Sequence, residues 1–245
     1  MDGYAVYKFE THLHTSEVSP CARIPAQEMV RLYRDAGYSG LLVTDHLYPP
    51  NLELFGCDGW HATMERFMLG YRLAKEEGDR IGVDVLLGAE LLPDGGNNEY
   101  LLFGLTEEFL YRHENICRYD LVRLREACTD AGVLIYQAHP YRPEMTRGLP
   151  GFLDGVEVYN GCPRHDSRNE LALAYAERNR LGMSSGSDAH QYEDVGRGGI
   201  MTETRITDLK SLCEALSGGY AGIIRAEEDQ PKPEKKWKWP FSRKK

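Results

Sequence analysis

Five short segments between residues 10 and 190 gather side chains of the types that bind metal ions: Glu10-Thr-His12-Leu-His14-Thr, Thr44-Asp45-His46, Gly88-Ala-Glu90, Ala138-His139-Pro140 and Gly186-Ser-Asp188-Ala-His190. Five of the eight histidines lie inside them, so the question is what a fold would do with so many ionisable groups in one place. Burying them without partners is costly, and metal ions would supply the partners. Imidazole nitrogen combined with carboxylate oxygen suits Zn²⁺, Mn²⁺ or Fe²⁺, whereas a Ca²⁺ or Mg²⁺ site would be built from oxygen alone. The set exceeds the needs of one tetrahedral ion, so two or three ions are expected, with Glu90 a candidate bridge. Taken singly, each segment also reads as ordinary structure: Ala-His-Pro or Thr-Asp-His as a turn with a hydrogen-bonded histidine, Gly-Ser-Asp as a loop. The five together, in order and each at the end of an expected strand, favour the metal.

Short apolar runs alternate with longer stretches of helical period, which predicts a parallel α/β architecture. Strands are expected at Tyr4 to Phe9, Gly40 to Thr44, Val83 to Ala89, Tyr100 to Phe103, Val133 to Gln137, Val156 to Tyr159, Met183 to Ser185 and Gly222 to Ile224. Helices are expected at Ala26 to Ala36, His61 to Glu77, Glu107 to Ala131, Ser167 to Arg180 and Leu209 to Ser217, with Gly37, Gly78, Gly132 and Gly182 as their stops. On this map the metal-binding segments follow the carboxyl ends of strands, where loops build the active site of a β/α barrel. In His12-x-His14 and Asp188-x-His190, residues i and i+2 of an extended chain share a face.

The length suits one large domain, residues 1 to 226, followed by a basic tail, 227 to 245, that carries Trp237, Trp239 and three prolines. The formal charge of −9 divides into +6 over the last 15 residues and −15 over the rest. Such an acidic body argues against nucleic-acid binding. The tail is expected to be disordered, with weak contact to anionic lipid or an acidic partner as its functional alternative. The six cysteines form no CxxC pair, so neither a zinc knuckle nor a disulfide framework is indicated. With no export signal and no long apolar run, a cytoplasmic protein with reduced thiols is expected.

In these blocks the chain resembles the polymerase and histidinol phosphatase (PHP) superfamily of metal-dependent phosphoesterases, from Tyr4 to about Ile200. The resemblance implies a distorted (β/α)7 TIM-like barrel of PHP type with two or three ions at its mouth. It implies that His12, His14, Glu90 and Asp188 hold one ion, Glu90 and His139 a second, and His46 with His190 a third. Members place an Asp or His shortly after the second histidine of the first block, where this chain has Ser19; Glu17 is the candidate substitute. Glu99 is the candidate for a further ligand near the fourth strand, because His113 falls too far along.

The expected reaction is hydrolysis of a phosphate monoester of a small metabolite by metal-activated water. Asp45 is read as the orienter of a liganding histidine, and His46 or His190 as proton donor to the leaving oxygen when not ligating. Arg142 is the first candidate for a phosphate clamp, followed by Arg164 and Arg197, with Tyr159 and Asn160 lining the pocket. Two other readings remain. An amidohydrolase-type C–N hydrolase would want a bridging lysine that no later strand end carries, and a non-catalytic module associated with nucleic acid fits poorly with an acidic body that keeps its ligands.

Overall fold

The computed structural model describes residues 6–226; the first residues of the expected Tyr4 strand and the whole of the tail, 227–245, lie outside them. Eleven strands form among the described residues. Five of them order as β11 (Gly222–Ile223), β10 (Ile200–Thr202), β1 (Tyr7–Leu13), β2 (Gly40–Val43) and β4 (Asp84–Leu87). The other six order as β3 (His46–Leu47), β5 (Ala89–Leu91), β6 (Tyr100–Phe103), β7 (Leu134–Gln137), β8 (Gly155–Asn160) and β9 (Gly182–Gly186).

The parallel series of the sequence reading survives in β1–β2–β4 and in β7–β8–β9. It is broken by β6, antiparallel to both β5 and β7, and by β10, antiparallel to β1. Of the expected distorted (β/α)7 TIM-like barrel the mixed α/β fold stands, as two mixed sheets with no closed ring of strands among the described residues. The physical reason lies in the connections: residues 92–99 are too few for the crossover that a parallel return requires. The sheets still meet along one line, where Leu13 bridges Ala189 in parallel and His14 N donates to Ala189 O at 3.0 Å.

Helix α1 (Ala26–Asp35) buries Ala26, Met29, Val30 and Tyr33, one face at helical spacing, against β1 and β2. The long helix expected over residues 61–77 is two, α3 (Trp60–Phe67) and α4 (Leu69–Ile81), preceded by the short α2 (Pro49–Leu54). That expected over 107–131 also divides, into α5 (Glu107–Arg112) and α6 (Leu121–Ala131). Asn115 turns left-handed between them, and Asp120 starts α6 anew by accepting from Arg123 N at 2.8 Å. The remaining helices are α7 (Asn169–Asn179) and α8 (Leu209–Glu214). Gly37 and Gly132 follow α1 and α6 with φ of 80° and 71°. The other two expected stops move: α4 runs through Gly78 to Gly82, and α7 ends at Arg180, leaving Gly182 to open β9. No helix among the described residues is long and apolar enough to cross a membrane.

Apolar residues of both sheets meet in one core, Phe9, Leu42, Leu101, Phe103, Tyr136 and Ile200, each 1% exposed or less. Each such side chain contributes about 1.5–3 kcal/mol by leaving water, and their strands hold the metal-binding segments at fixed spacing. Gly186 shows how tight that spacing is. A Cβ there would run into the Cβ of His12 and stand 2.9 Å from Glu157 Oε1. Gly186→Ala is expected to cost about 1–3 kcal/mol by overpacking, read as a lower urea midpoint in the purified protein.

Candidate metal centre

His12, His14, His46, Glu90, His139 and Asp188 are all buried, and they converge from β1, β3, β5 and the segments after β7 and β9. Glu90 is their common centre. Its Oε1 stands 3.4 Å from His12 Nε2 and 3.1 Å from His139 Nε2, and its Oε2 stands 3.6 Å from His14 Nε2 and 3.1 Å from His46 Nε2. Asp188 Oδ1 lies 3.5 Å from His12 Nε2, 3.3 Å from His14 Nε2 and 3.4 Å from His190 Nδ1. Four groups have ligand atoms close enough to share an ion: His14–His46–His190, His12–His14–Glu90, His12–His139–Asp188 and Glu90–Glu99–His139.

Whether these residues suit divalent ions is answered by their free valences. His12 Nε2, both ring nitrogens of His14 and His139 Nδ1 are buried without a hydrogen-bond partner. Native interiors rarely leave such atoms unpaired, and here they stand beside two carboxylates in a donor set of nitrogen and oxygen. The residues fit divalent metal binding.

The backbone supports the cluster at some cost. His139 and Asp188 both have positive φ, 28° and 51°, conformations that cost non-glycine residues of order 1–3 kcal/mol. His139 is held there by its N–H, which donates to Glu157 Oε2 at 3.0 Å. Glu157 also pairs through Oε1 with His12 Nδ1 at 2.8 Å, which directs the other nitrogen of that ring toward Glu90 and Asp188. The sequence reading missed Glu157, although its signal was present: a carboxylate between Val156 and Val158 in a strand buried throughout. It also missed Tyr48, two residues after His46, whose hydroxyl lies between Glu90 Oε2 at 2.9 Å and Glu99 Oε1 at 2.5 Å, with one hydrogen to share between them. Glu99 itself reaches His139 Nε2 at 3.2 Å and so joins the cluster.

Other expected residues stand elsewhere. Glu17 does not reach the cluster; its carboxylate accepts from Ala26 N at 3.0 and 3.1 Å, satisfying an otherwise unpaired N–H at the start of α1. Asp45 touches no histidine side chain among the described residues. It accepts from Thr15 N, Thr15 Oγ1 and Ser19 Oγ at 2.6–2.7 Å, and so anchors the loop after β1. Ser19 in turn accepts from His46 N at 3.0 Å. His113 packs beside Phe109 and takes no part.

A cleft of about 550 Å³ opens over the cluster, lined by His46, Glu90, Glu99, His139, Asp188 and His190 together with Arg142 and Arg164. Arg142 Nη2 donates to Asp188 Oδ2 at 2.5 Å and Asn160 Oδ1 at 2.9 Å, while Nε donates to Ser167 at 3.3 Å. Arg164 lies on Asp194 through two bonds of 2.5 and 2.8 Å. Arg197 lies apart, its Nε on Gly161 O at 2.7 Å, beside a neighbouring cavity.

Charge sets the protonation of the site. Burial works against protonated His12, yet Glu157, Asp188 and Glu90 carry its pKa well above the usual value. Burial likewise opposes His46, and Cys21 with Glu90 raises it to about 10. His14 goes the other way, lowered by burial and then by His190 and His46. Burial would raise Glu90 and Asp188, but His12 foremost among their neighbours holds both well below the carboxylate range. Glu157→Gln, which keeps the shape but removes the charge behind His12, is expected to lower divalent-metal affinity about 10- to 100-fold, measured by competition with a chromophoric chelator.

A family described as PHP-associated matches residues 166–220. An uncharacterised protein of Methanocaldococcus jannaschii is 32% identical over 120 residues, 44% of this chain and 47% of that protein, so the chain spans about half the length of the curated relative it matches. Among solved structures, a two-domain protein of Bacteroides vulgatus containing a predicted PHP-like metal-dependent phosphoesterase shares the fold with a TM-score of 0.63 at 18% identity, over 92% of this chain and 66% of that one. A lesion-specific endonuclease of Pyrococcus furiosus shares it with a TM-score of 0.57 at 17% identity, over 90% and 57%. The chain thus carries a PHP-associated segment at residues 166–220 and shares the fold of a protein containing a predicted PHP-like metal-dependent phosphoesterase and of a lesion-specific endonuclease.

Proposed function

We propose that this chain is a metal-dependent phosphoesterase that hydrolyses phosphate monoesters of small metabolites, with two or three divalent transition ions (Mn, Zn or Fe) as cofactors. The observation that carries the reading is the set of unpartnered, buried imidazole nitrogens of His12, His14 and His139 around Glu90 and Asp188. His12, His14, Glu90 and Asp188 would hold one ion, Glu90, Glu99 and His139 a second, and His46 with His190 a third. When bound, such ions supply positive charge for phosphate oxygens and lower the pKa of water at the site.

The chain's own residues do the rest. Arg142 is fixed through Nη2 and Nε, which leaves Nη1 to meet a phosphate oxygen without a further loss of side-chain freedom. Arg164, also at the cleft, is a second candidate contact. Glu157 keeps the His12 ring oriented, and Tyr48 holds Glu90 and Glu99 side by side against their mutual repulsion. A proton for the leaving oxygen comes from His46 or His190 only while that ring is not a ligand. The cleft volume is that of a small-molecule site, and the acidic body disfavours a nucleic-acid polyanion. The C–N hydrolase reading lacks support, since no lysine lines the cleft.

Metal analysis followed by assays on p-nitrophenyl phosphate and bis-p-nitrophenyl phosphate tests this. Bound transition ions, preference for the monoester and loss of turnover in His12→Ala and Asp188→Ala are expected. A charge-assisted bond worth about 1.5–3 kcal/mol predicts a loss of about 10- to 100-fold in kcat/KM for Arg142→Ala. Preference for the diester would overturn the substrate class, and a metal-free protein with unaltered variants would overturn the hydrolase.

A further inference from the structure

Asn160 closes β8 beneath Arg142, 4% exposed and outside the wall of the cleft. We infer that Asn160 is the positioning residue for phosphate capture: its amide fixes the Arg142 guanidinium at the cleft by tying it to Glu157 and Asp188. This rests on the proposed reading of Arg142 as the phosphate contact and adds the residue that aims it.

The strand has to be irregular to bring the amide there. Residues i and i+3 of a regular strand point to opposite faces, which would separate Asn160 from Glu157. The pairing of β8 with β9 slips between the two, where Glu157 stands opposite Ser184 and Tyr159 opposite Ser185. The extra residue makes a β-bulge, and both side chains turn to one side: Asn160 Nδ2 donates to Glu157 Oε2 at 2.9 Å. Asn169, the first residue of α7, holds the strand end from the other direction. Its side-chain amide accepts from Asn160 N at 3.0 Å and donates to Asn160 O at 3.1 Å.

The Asn160 amide has no bonding capacity to spare. Nδ2 also donates to Asp188 Oδ2 at 3.2 Å, while Oδ1 accepts from Arg142 Nη2 at 2.9 Å and Cys162 N at 3.1 Å, with Ser167 Oγ farther off at 3.5 Å. Two hydrogens and two lone pairs are what such a side chain offers. Turned over, the amide would set its oxygen against two carboxylates and its hydrogens against a guanidinium and an N–H, so its orientation is fixed. A carboxylate in its place would repel Glu157 and Asp188, and an apolar side chain would leave Nη2 to Asp188 alone. An amide gives Arg142 an acceptor and both carboxylates a donor. With Nε engaged by Ser167 Oγ at 3.3 Å, Nη1 is the group that Arg142 presents to the cleft.

A double-mutant cycle on the metal-loaded full chain tests this, read as kcat/KM on p-nitrophenyl phosphate with metal content measured alongside. Asn160→Ala is expected to keep its ions and lose about tenfold, but to cost less than about twofold once Arg142→Ala is present, because residues of one network couple. An equal fall in both backgrounds, or ions lost from Asn160→Ala, would assign the amide to the cluster alone and overturn the proposal. Arg142→Lys reads the same point with Asn160 intact, since an ammonium keeps the charge without the planar fork, and it is expected to fare no better than Arg142→Ala. Turnover in Arg142→Lys within about twofold of the wild type would show that the charge needs no aiming and overturn the proposal as well. A metal-loaded wild type without turnover would overturn the phosphoesterase reading and this inference together.

Discussion

One carboxylate surrounded by four imidazoles is the interaction on which this structure turns. Glu90 lies within 3.1–3.6 Å of His12, His14, His46 and His139, and those histidines come from three separate places in the chain. A buried carboxylate needs compensating charge, so none of those elements can shift without leaving Glu90 or a histidine unpaired. The alternation of extended chain does the positioning: His12 and His14 point to Glu90 while Leu13 between them enters the apolar core. Chemistry and packing are thus carried by alternate residues of the same strand end.

The metal-binding blocks were legible in the sequence because liganding demands particular residue types at particular strand ends, and those constraints survive any detail of topology. His12, His14, His46, Glu90, His139, Asp188 and His190 all stand in one cluster for that reason. Sheet closure was not legible. Whether a strand such as β6 returns parallel or antiparallel depends on the length and path of residues 92–99, which hydrophobic periodicity does not report. Helix breaks at Met68 and Asn115 escaped for a related cause, since the apolar period continues across both. Glu17 and Asp45 illustrate a subtler limit. A carboxylate near a metal-binding block can as well satisfy a helix N-terminus or a loop, and only the backbone N–H groups around it distinguish the cases.

Asp45 and Glu157 perform the same task by different routes. Glu157 acts on the cluster directly, pairing with the His12 ring and the His139 N–H. Asp45 acts on a loop, binding Thr15 and Ser19. The Asp45 backbone carbonyl also accepts from Glu90 N at 3.1 Å. Side-chain and main-chain groups of one residue thereby tie the loop after β1 to the central carboxylate, which is why that loop keeps its place over the histidines.

Protons and metal ions compete for this cluster. Against the cost of burial, His12 is pulled toward the protonated state by Glu157, Asp188 and Glu90, and His46 by Cys21 and Glu90, and those protons would give Glu90 and Asp188 the positive charge they need. A divalent ion offers the same compensation, but to bind it must first displace the protons. Arg142 enters the same balance, since its bond to Asp188 occupies Oδ2 and leaves Oδ1 to the histidines. Asp188 therefore faces the cations with one oxygen and the guanidinium with the other. That division couples the charge on the histidines to the position of Arg142, so whatever neutralises the cluster also sets how firmly the arginine is held at the cleft.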